Sequence, residues 1–177
     1  MVRPQIMSGT HALSLTYSAL LKYNDVMLSI TGTPYDSLQA IIGITGDSRN
    51  SLMKNGVKYE EIDLINDDFD IEKIVERLKQ SKVKLIAIQR SRGYAHRKSL
   101  TIAKIEKVCK AIREVDKDVI IMVDNCYGDL VEDREPTEVG ADLVVGSLIK
   151  NLGGGIASNG AYICGKKKLV ELCAERL

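Results

Sequence analysis

Ala141-Asp-Leu-Val-Val-Gly-Ser-Leu-Ile-Lys-Asn-Leu-Gly-Gly-Gly155 is the stretch around which the rest of the chain is organised. The apolar run Leu143-Val144-Val145 has the composition of a strand buried on both faces. It gives way to small and polar residues that hold one lysine, Lys150, and then to three consecutive glycines. A lysine just beyond a buried strand, beside glycines that admit other groups closely, suits a reactive amine. A lone loop lysine is more often simply solvated, so the remaining chain has to decide.

Downstream, Gly160-Ala-Tyr-Ile-Cys164 forms a last strand and Lys166 opens a helix. Upstream, Val119-Ile-Ile-Met-Val123 is the strongest strand signal; it runs into Asp124-Asn-Cys-Tyr-Gly-Asp129, and Glu135 to Gly140 makes a helical turn. Lys84 to Ile88 is another buried strand, followed by the polar loop Gln89-Arg-Ser-Arg-Gly-Tyr94. Helical spacing marks Asp70 to Gln80 and Thr101 to Val115; in the latter Ile102, Ile105, Val108, Cys109 and Ile112 form the core stripe. Nearer the start, Val2 to Met7 is strand-like, and a helix over His11 to Tyr23 is capped by Ser8 or Thr10. Asp25 to Ile30 is a strand that ends in the turn-rich Thr31-Gly-Thr-Pro-Tyr35. Short helices follow at Asp36 or Ser37 through Ile42 and at Ser48 to Asn55, with a more exposed strand at Val57 to Ile62.

Strands alternating with helices over the whole length predict a three-layer α/β/α fold with a mostly parallel sheet. In such sheets ligands bind outside the carboxyl ends of the strands. The unusual loops at 31–35, 89–94, 124–129 and 147–155 all follow strands, so parallel strands would gather them at one edge.

At 177 residues and 45% apolar content the chain can bury a full core and reads as one domain, residues 1–177. The near balance of 25 basic and 24 acidic residues gives no electrostatic case for nucleic acid or an anionic membrane as partner. No apolar run reaches the ~18–20 residues needed to span a bilayer. The cysteines Cys109, Cys126, Cys164 and Cys173 make no CxxC pair and do not cluster with His11 or His96, so no metal site is expected. Free buried thiols point to a reducing, cytoplasmic setting. Both ends look cut, a strand starting almost at the first residue and a helix stopping at Leu177, so a longer protein is expected.

Two nucleotide fingerprints fail. After Gly153-Gly-Gly155, Ser158 stands where a Rossmann loop needs its third glycine, and in Gly160 to Lys167 a lysine replaces the metal-binding Ser or Thr of a Walker loop. Asp124 and Lys150 make the better pair, each just past a buried strand and separated by one helical turn and one strand. Pyridoxal phosphate needs this arrangement: a lysine for the Schiff base and an acid that keeps the pyridine nitrogen protonated. Ser8-Gly9-Thr10 before a helix offers N–H groups, hydroxyls and the helix dipole to a phosphate, although an ordinary cap uses the same residues. Ser147 is a second phosphate donor, and Tyr35 could stack on a cofactor ring or pack in the core. Arg90 or Arg92 could hold a substrate carboxylate or the cofactor's oxygens, or both could lie in solvent as loop arginines commonly do. His11 could face the ring or pack, and Tyr127 has no assigned role.

Ser8-Gly-Thr-His-Ala12, Gln89-Arg-Ser-Arg-Gly-Tyr94, Val123-Asp-Asn-Cys-Tyr-Gly128, Glu135 to Asp142 and Gly146-Ser-Leu-Ile-Lys-Asn151 together resemble the so-called aluminium resistance protein family. That family is similar to methionine gamma-lyase and the cystathionine enzymes of sulfur amino acid metabolism. The resemblance implies the large domain of a fold-type I pyridoxal phosphate enzyme, whose last sheet strand, here 160–164, runs antiparallel. It assigns Lys150 to the Schiff base, Asp124 to the pyridine nitrogen, Ser8, Gly9, Thr10 and Ser147 to the phosphate and Tyr35 to ring stacking. Thr10 replaces the usual methionine, and Ile149 stands where threonine is common. The implied whole is a homo-oligomer, dimer or tetramer, whose N-terminal segment and small C-terminal domain would lie outside these residues. The expected reaction is β- or γ-elimination from a small amino acid, a sulfur-containing one. An aminotransferase, a decarboxylase and a catalytically silent binding or assembly domain remain the alternatives.

Overall fold

The buried apolar runs become the strands of a single six-stranded sheet in the computed structural model, which describes residues 1–177. In chain order the strands are β1 (Val26–Ser29), β2 (Lys58–Glu61), β3 (Leu85–Gln89), β4 (Ile120–Asp124), β5 (Leu143–Ser147) and β6 (Ala161–Gly165). Their spatial order is β2-β1-β3-β4-β5-β6, with the first five parallel and β6 antiparallel to β5. The helices are α1 (Gly9–Leu20), α2 (Asp36–Ile42), α3 (Ile71–Gln80), α4 (Ile102–Val115) and α5 (Lys167–Arg176), and a 3₁₀ turn spans Pro136–Val139.

Alternation along each strand divides the core into two layers. Leu85, Ala87, Ile120, Met122, Leu143 and Val145 face a cluster with Leu13 and Tyr17 of α1, Leu38 and Ile42 of α2 and Cys173 of α5. Their neighbours Ile86, Ile88, Ile121, Val123 and Val144 face the opposite cluster, with Ile74 and Leu78 of α3 and the Ile102-Ile105-Val108-Ile112 stripe of α4. Both faces are covered, which is why the central strands read as unbroken apolar runs. The fold is therefore α/β, a mostly parallel sheet with flanking helices, as expected.

Two predicted elements did not form. Val2 to Met7 is not a strand: it runs beside β6 and makes isolated contacts, Ile163 N–H to Met1 O at 2.9 Å and Gly160 N–H to Met7 O at 2.9 Å. Pro4 has no N–H to donate, so a ladder cannot continue through it. Ser48 to Asn55 is a series of turns instead of a helix. Its N–H groups at Leu52 and Met53 bond back to the carbonyls of Ile41 and Ile42, at 3.0 and 2.9 Å. Helix α1 starts two residues before the expected His11, and Ser8 is its cap, accepting from the His11 N–H at 3.1 Å.

Candidate active site

The parallel strands carry their following loops to one edge, and a cleft of about 410 Å³ opens there. Its lining draws on the α1 N-terminus (Ser8, Gly9, Thr10), Tyr35, the ends of β3 and β4 (Gln89, Asp124), and Ser147 and Lys150 after β5. The loops expected at one edge meet there.

Asp124 forms the floor. It ends β4 between Gln89 of β3 and Val145 of β5, and only 4% of its surface is exposed. One carboxylate oxygen accepts the Cys126 N–H at 3.1 Å. Burial raises its proton affinity above that of an ordinary aspartate, this hydrogen bond opposes the rise, and the nearby Asp129 adds to it. A buried acid without a cationic partner on the wall of a cleft is a place where a protonated ring nitrogen would be stabilised.

Lys150 lies in the run of turns from Leu148 to Ile156 and reaches over the cleft. Its Nζ donates to the Tyr127 hydroxyl at 2.7 Å. Asn151, the next residue, donates from Nδ2 to the carbonyls of Tyr127 at 3.0 Å and Asp129 at 2.9 Å. The lysine loop is thus tied to the loop that follows Asp124.

At the other end of the cleft, Gly9 begins α1 against Ser147. A Cβ at Gly9 would lie 3.2 Å from the Ser147 Cβ and 3.4 Å from the Cys126 Sγ, a tight fit that glycine relieves where the two elements approach. Helix N–H groups, the Ser8 and Thr10 side chains and Ser147 surround this corner without a lysine or arginine. Such neutral donors at a helix start suit a phosphate monoester. Tyr35 stands over them: its hydroxyl shares a 2.9 Å hydrogen bond with Thr10, and its N–H donates to Gln89 Oε1 at 3.3 Å. Burial raises the proton affinity of its phenolate strongly.

The arginines are placed differently from what their loop suggested. Arg90 is 3% exposed and does not line the cleft. Its guanidinium donates to Leu100 O, Asn125 Oδ1, Gly128 O and Glu132 Oε1 at 3.3, 2.8, 2.7 and 2.7 Å. Four of its five N–H donors are committed to these partners and the side chain lies off the cleft, so Arg90 is a structural residue that pins the loop after Asp124. Arg92 is exposed and also off the cleft lining. His11 packs beside the site, with Nδ1 accepting the Met7 N–H at 3.4 Å. Cys126, whose thiol is raised in proton affinity by burial and by Asp124, Tyr127 and Gln89 line the cleft without a role assigned from the sequence. Their position at or just past the ends of strands was the signal available for them.

Lys150, buried Asp124, Tyr35 and a neutral donor corner around one cleft fit pyridoxal phosphate in size, charge and chemistry. The sequence is 45% identical to the uncharacterized protein YnbB of Bacillus subtilis, over all of this chain and 42% of that protein. A crystal structure from Clostridium acetobutylicum, described as a candidate cystathionine beta-lyase involved in aluminum resistance, superposes with a TM-score of 0.95 at 50% identity, covering 99% of this chain and 42% of that one. The fold extends to the pyridoxal-5'-phosphate dependent protein YhfS of Escherichia coli, with a TM-score of 0.72 at 18% identity over 96% of this chain and 41% of that one. The chain spans less than half the length of these proteins. Residues 1–177 match the methionine gamma-lyase family throughout, and the chain belongs to that family.

Proposed function

We propose that these residues form the cofactor-binding part of a pyridoxal phosphate-dependent carbon–sulfur lyase acting on a sulfur amino acid. The observation that carries the proposal is the meeting of Lys150, Asp124, Tyr35 and the Ser8–Thr10 corner at one cleft. The names of the matched family and of the Clostridium structure support a lyase. Bound pyridoxal phosphate would supply an electron sink for the charge left when a substrate Cα proton departs. Lys150 would provide the primary amine that holds the cofactor and, as a free amine, the base for the Cα proton. Asp124 would keep the ring nitrogen protonated, and its burial would strengthen that charge pair. The α1 N-terminus and Ser147 would hold the phosphate, and Tyr35 would pack against the ring. Loss of the β or γ substituent as a thiol, followed by hydrolysis of the remaining imine by water, would yield a keto acid and ammonia. The whole protein is taken to be a homo-oligomer, which light scattering on the full-length protein tests.

The direct experiment adds pyridoxal phosphate to the full-length protein, reduces with borohydride and maps the modified peptide. Modification at Lys150, lost in Lys150→Ala, is the expected result; modification at another lysine refutes the site. Keto acid and ammonia formed without a keto-acid acceptor mark a lyase, whereas a requirement for such an acceptor would mark an aminotransferase.

A further inference from the structure

The contact between Tyr127 and Lys150 has a geometry that a passing surface contact would not need. The Tyr127 hydroxyl lies 2.7 Å from Nζ, and the ammonium sits 4.5 Å from the centre of the same ring. Tyr127 holds this place with φ at 66°, in the left-handed region that bulky L residues rarely occupy. Asn151, adjacent to Lys150, grips the Tyr127 carbonyl at 3.0 Å and so fixes the unusual backbone. A strained residue held by the neighbour of the group it touches is a mark of functional constraint.

From these contacts we propose that Tyr127 is a positioning residue that stores the Lys150 amine, as its ammonium ion, at the mouth of the cleft. The inference rests on Lys150 being the point of cofactor attachment. Both contacts favour the charged form, because the phenol oxygen accepts from the ammonium and the electron-rich ring face attracts it. The hydrogen bond to Tyr127 is accordingly the largest cause of the raised proton affinity of Lys150, with partial burial opposing it. The other titratable groups near the amine are Cys126 and Tyr94. An amine attacks only when neutral. Tyr127 therefore fixes where Lys150 waits, at the expense of how readily it reacts.

The test needs no cofactor. The full-length protein is acylated with a small amine-reactive ester between about pH 7 and pH 11, and each lysine is followed by peptide mass analysis. Tyr127→Phe should move the Lys150 profile to lower pH. It should raise Lys150 labelling at fixed pH about threefold to tenfold, the range set by one ordinary hydrogen bond. Lys110, which is 72% exposed, serves as reference and should not move. Tyr127→Leu, which also removes the ring, should shift the profile at least as far. Tyr127 is 58% exposed, so both variants should keep the fold, as circular dichroism would verify. A Lys150 profile unmoved in both folded variants overturns the proposal, as does a shift shared by Lys110. Borohydride trapping of cofactor on another lysine would refute the proposed site, whereas the acylation profile alone decides the role of Tyr127.

Discussion

Replacing Arg90 separates a structural arginine from a substrate-binding one, and the outcome can be sized from its contacts. Truncation to alanine strands the Asn125 side-chain oxygen and the Gly128 carbonyl, each a buried acceptor worth about 1–3 kcal/mol when orphaned. It also leaves Glu132, at 2.7 Å, and Glu135, at 3.8 Å, without their cation. The arginine end of these pairs is buried but each glutamate is about a third exposed, so the freed carboxylates are solvated and add about 1 kcal/mol at most. These losses share one group and do not add, so about 4 kcal/mol is expected against a typical total of ~5–15 kcal/mol. With a urea slope of about 2 kcal/mol per molar, the unfolding midpoint should fall by roughly 2 M. Arg90→Lys should fall between wild type and Arg90→Ala, because an ammonium cannot reproduce a planar fork of donors. The fit is tight around that fork: a Cβ at Gly128 would lie 2.6 Å from Arg90 Cδ. Arg92→Ala should stay within about 0.5 kcal/mol of wild type. Urea unfolding of the full-length protein, followed by circular dichroism, makes the comparison. A wild-type midpoint in Arg90→Ala, with only substrate affinity lost, would refute this reasoning and return Arg90 to the substrate.

Thr10→Val removes the hydroxyl that meets Tyr35 at 2.9 Å; pyridoxal phosphate affinity, read by absorbance titration, should weaken by about threefold to tenfold with little change in unfolding midpoint. Asp124→Asn should raise stability near neutral pH while weakening cofactor binding, a split visible in paired unfolding and titration experiments. Burial raises the folded-state pKa of this carboxyl above its ordinary value of 3.8, so the folded chain binds the proton more tightly than the unfolded one. Its contribution to stability is therefore greatest below that value and falls as pH rises through the folded-state pKa. The advantage of Asp124→Asn should vanish at about pH 3 and grow toward neutrality. An advantage that is constant with pH would contradict it.

The sheet was legible because β3, β4 and β5 are apolar without a break, a pattern that only strands buried on both faces require. Parallel strands then placed Asp124 and Lys150 at one edge, so the two central site residues followed from topology. Pro4 was the missed signal at the start, since it could have demoted Val2 to Met7 from a strand. Arg90 was misjudged for a different reason. Its loop belongs to the site edge, but a side chain leaving the end of a strand has two faces to choose from. Its direction was set by Asn125, Gly128 and Glu132, which are 35, 38 and 42 residues away. No local pattern carries that information. Tyr127 was hidden in the same way, because its left-handed backbone depends on Asn151 in a loop 24 residues later.

The two central groups of the cleft are both held against the form in which they would be used. Burial gives Asp124 a higher affinity for its proton, and Tyr127 does the same for Lys150. A ligand that needs Asp124 ionised and Lys150 neutral therefore works against proton affinities that the fold has raised. The cost differs at the two positions. At Asp124 a cationic ring nitrogen offsets it, since the low-dielectric floor that penalises a lone carboxylate also strengthens its pairing with a cation. At Lys150 the offset is a covalent bond, far stronger than one hydrogen bond to a phenol. The fold thus spends stability on Asp124 and reactivity on Lys150, and both are recovered by a ligand that carries a ring cation and a carbonyl together. A simple anion or a simple aldehyde would recover at most one of them. Under the proposed function, selectivity for pyridoxal phosphate over its fragments would reside in the same two residues that would do its chemistry.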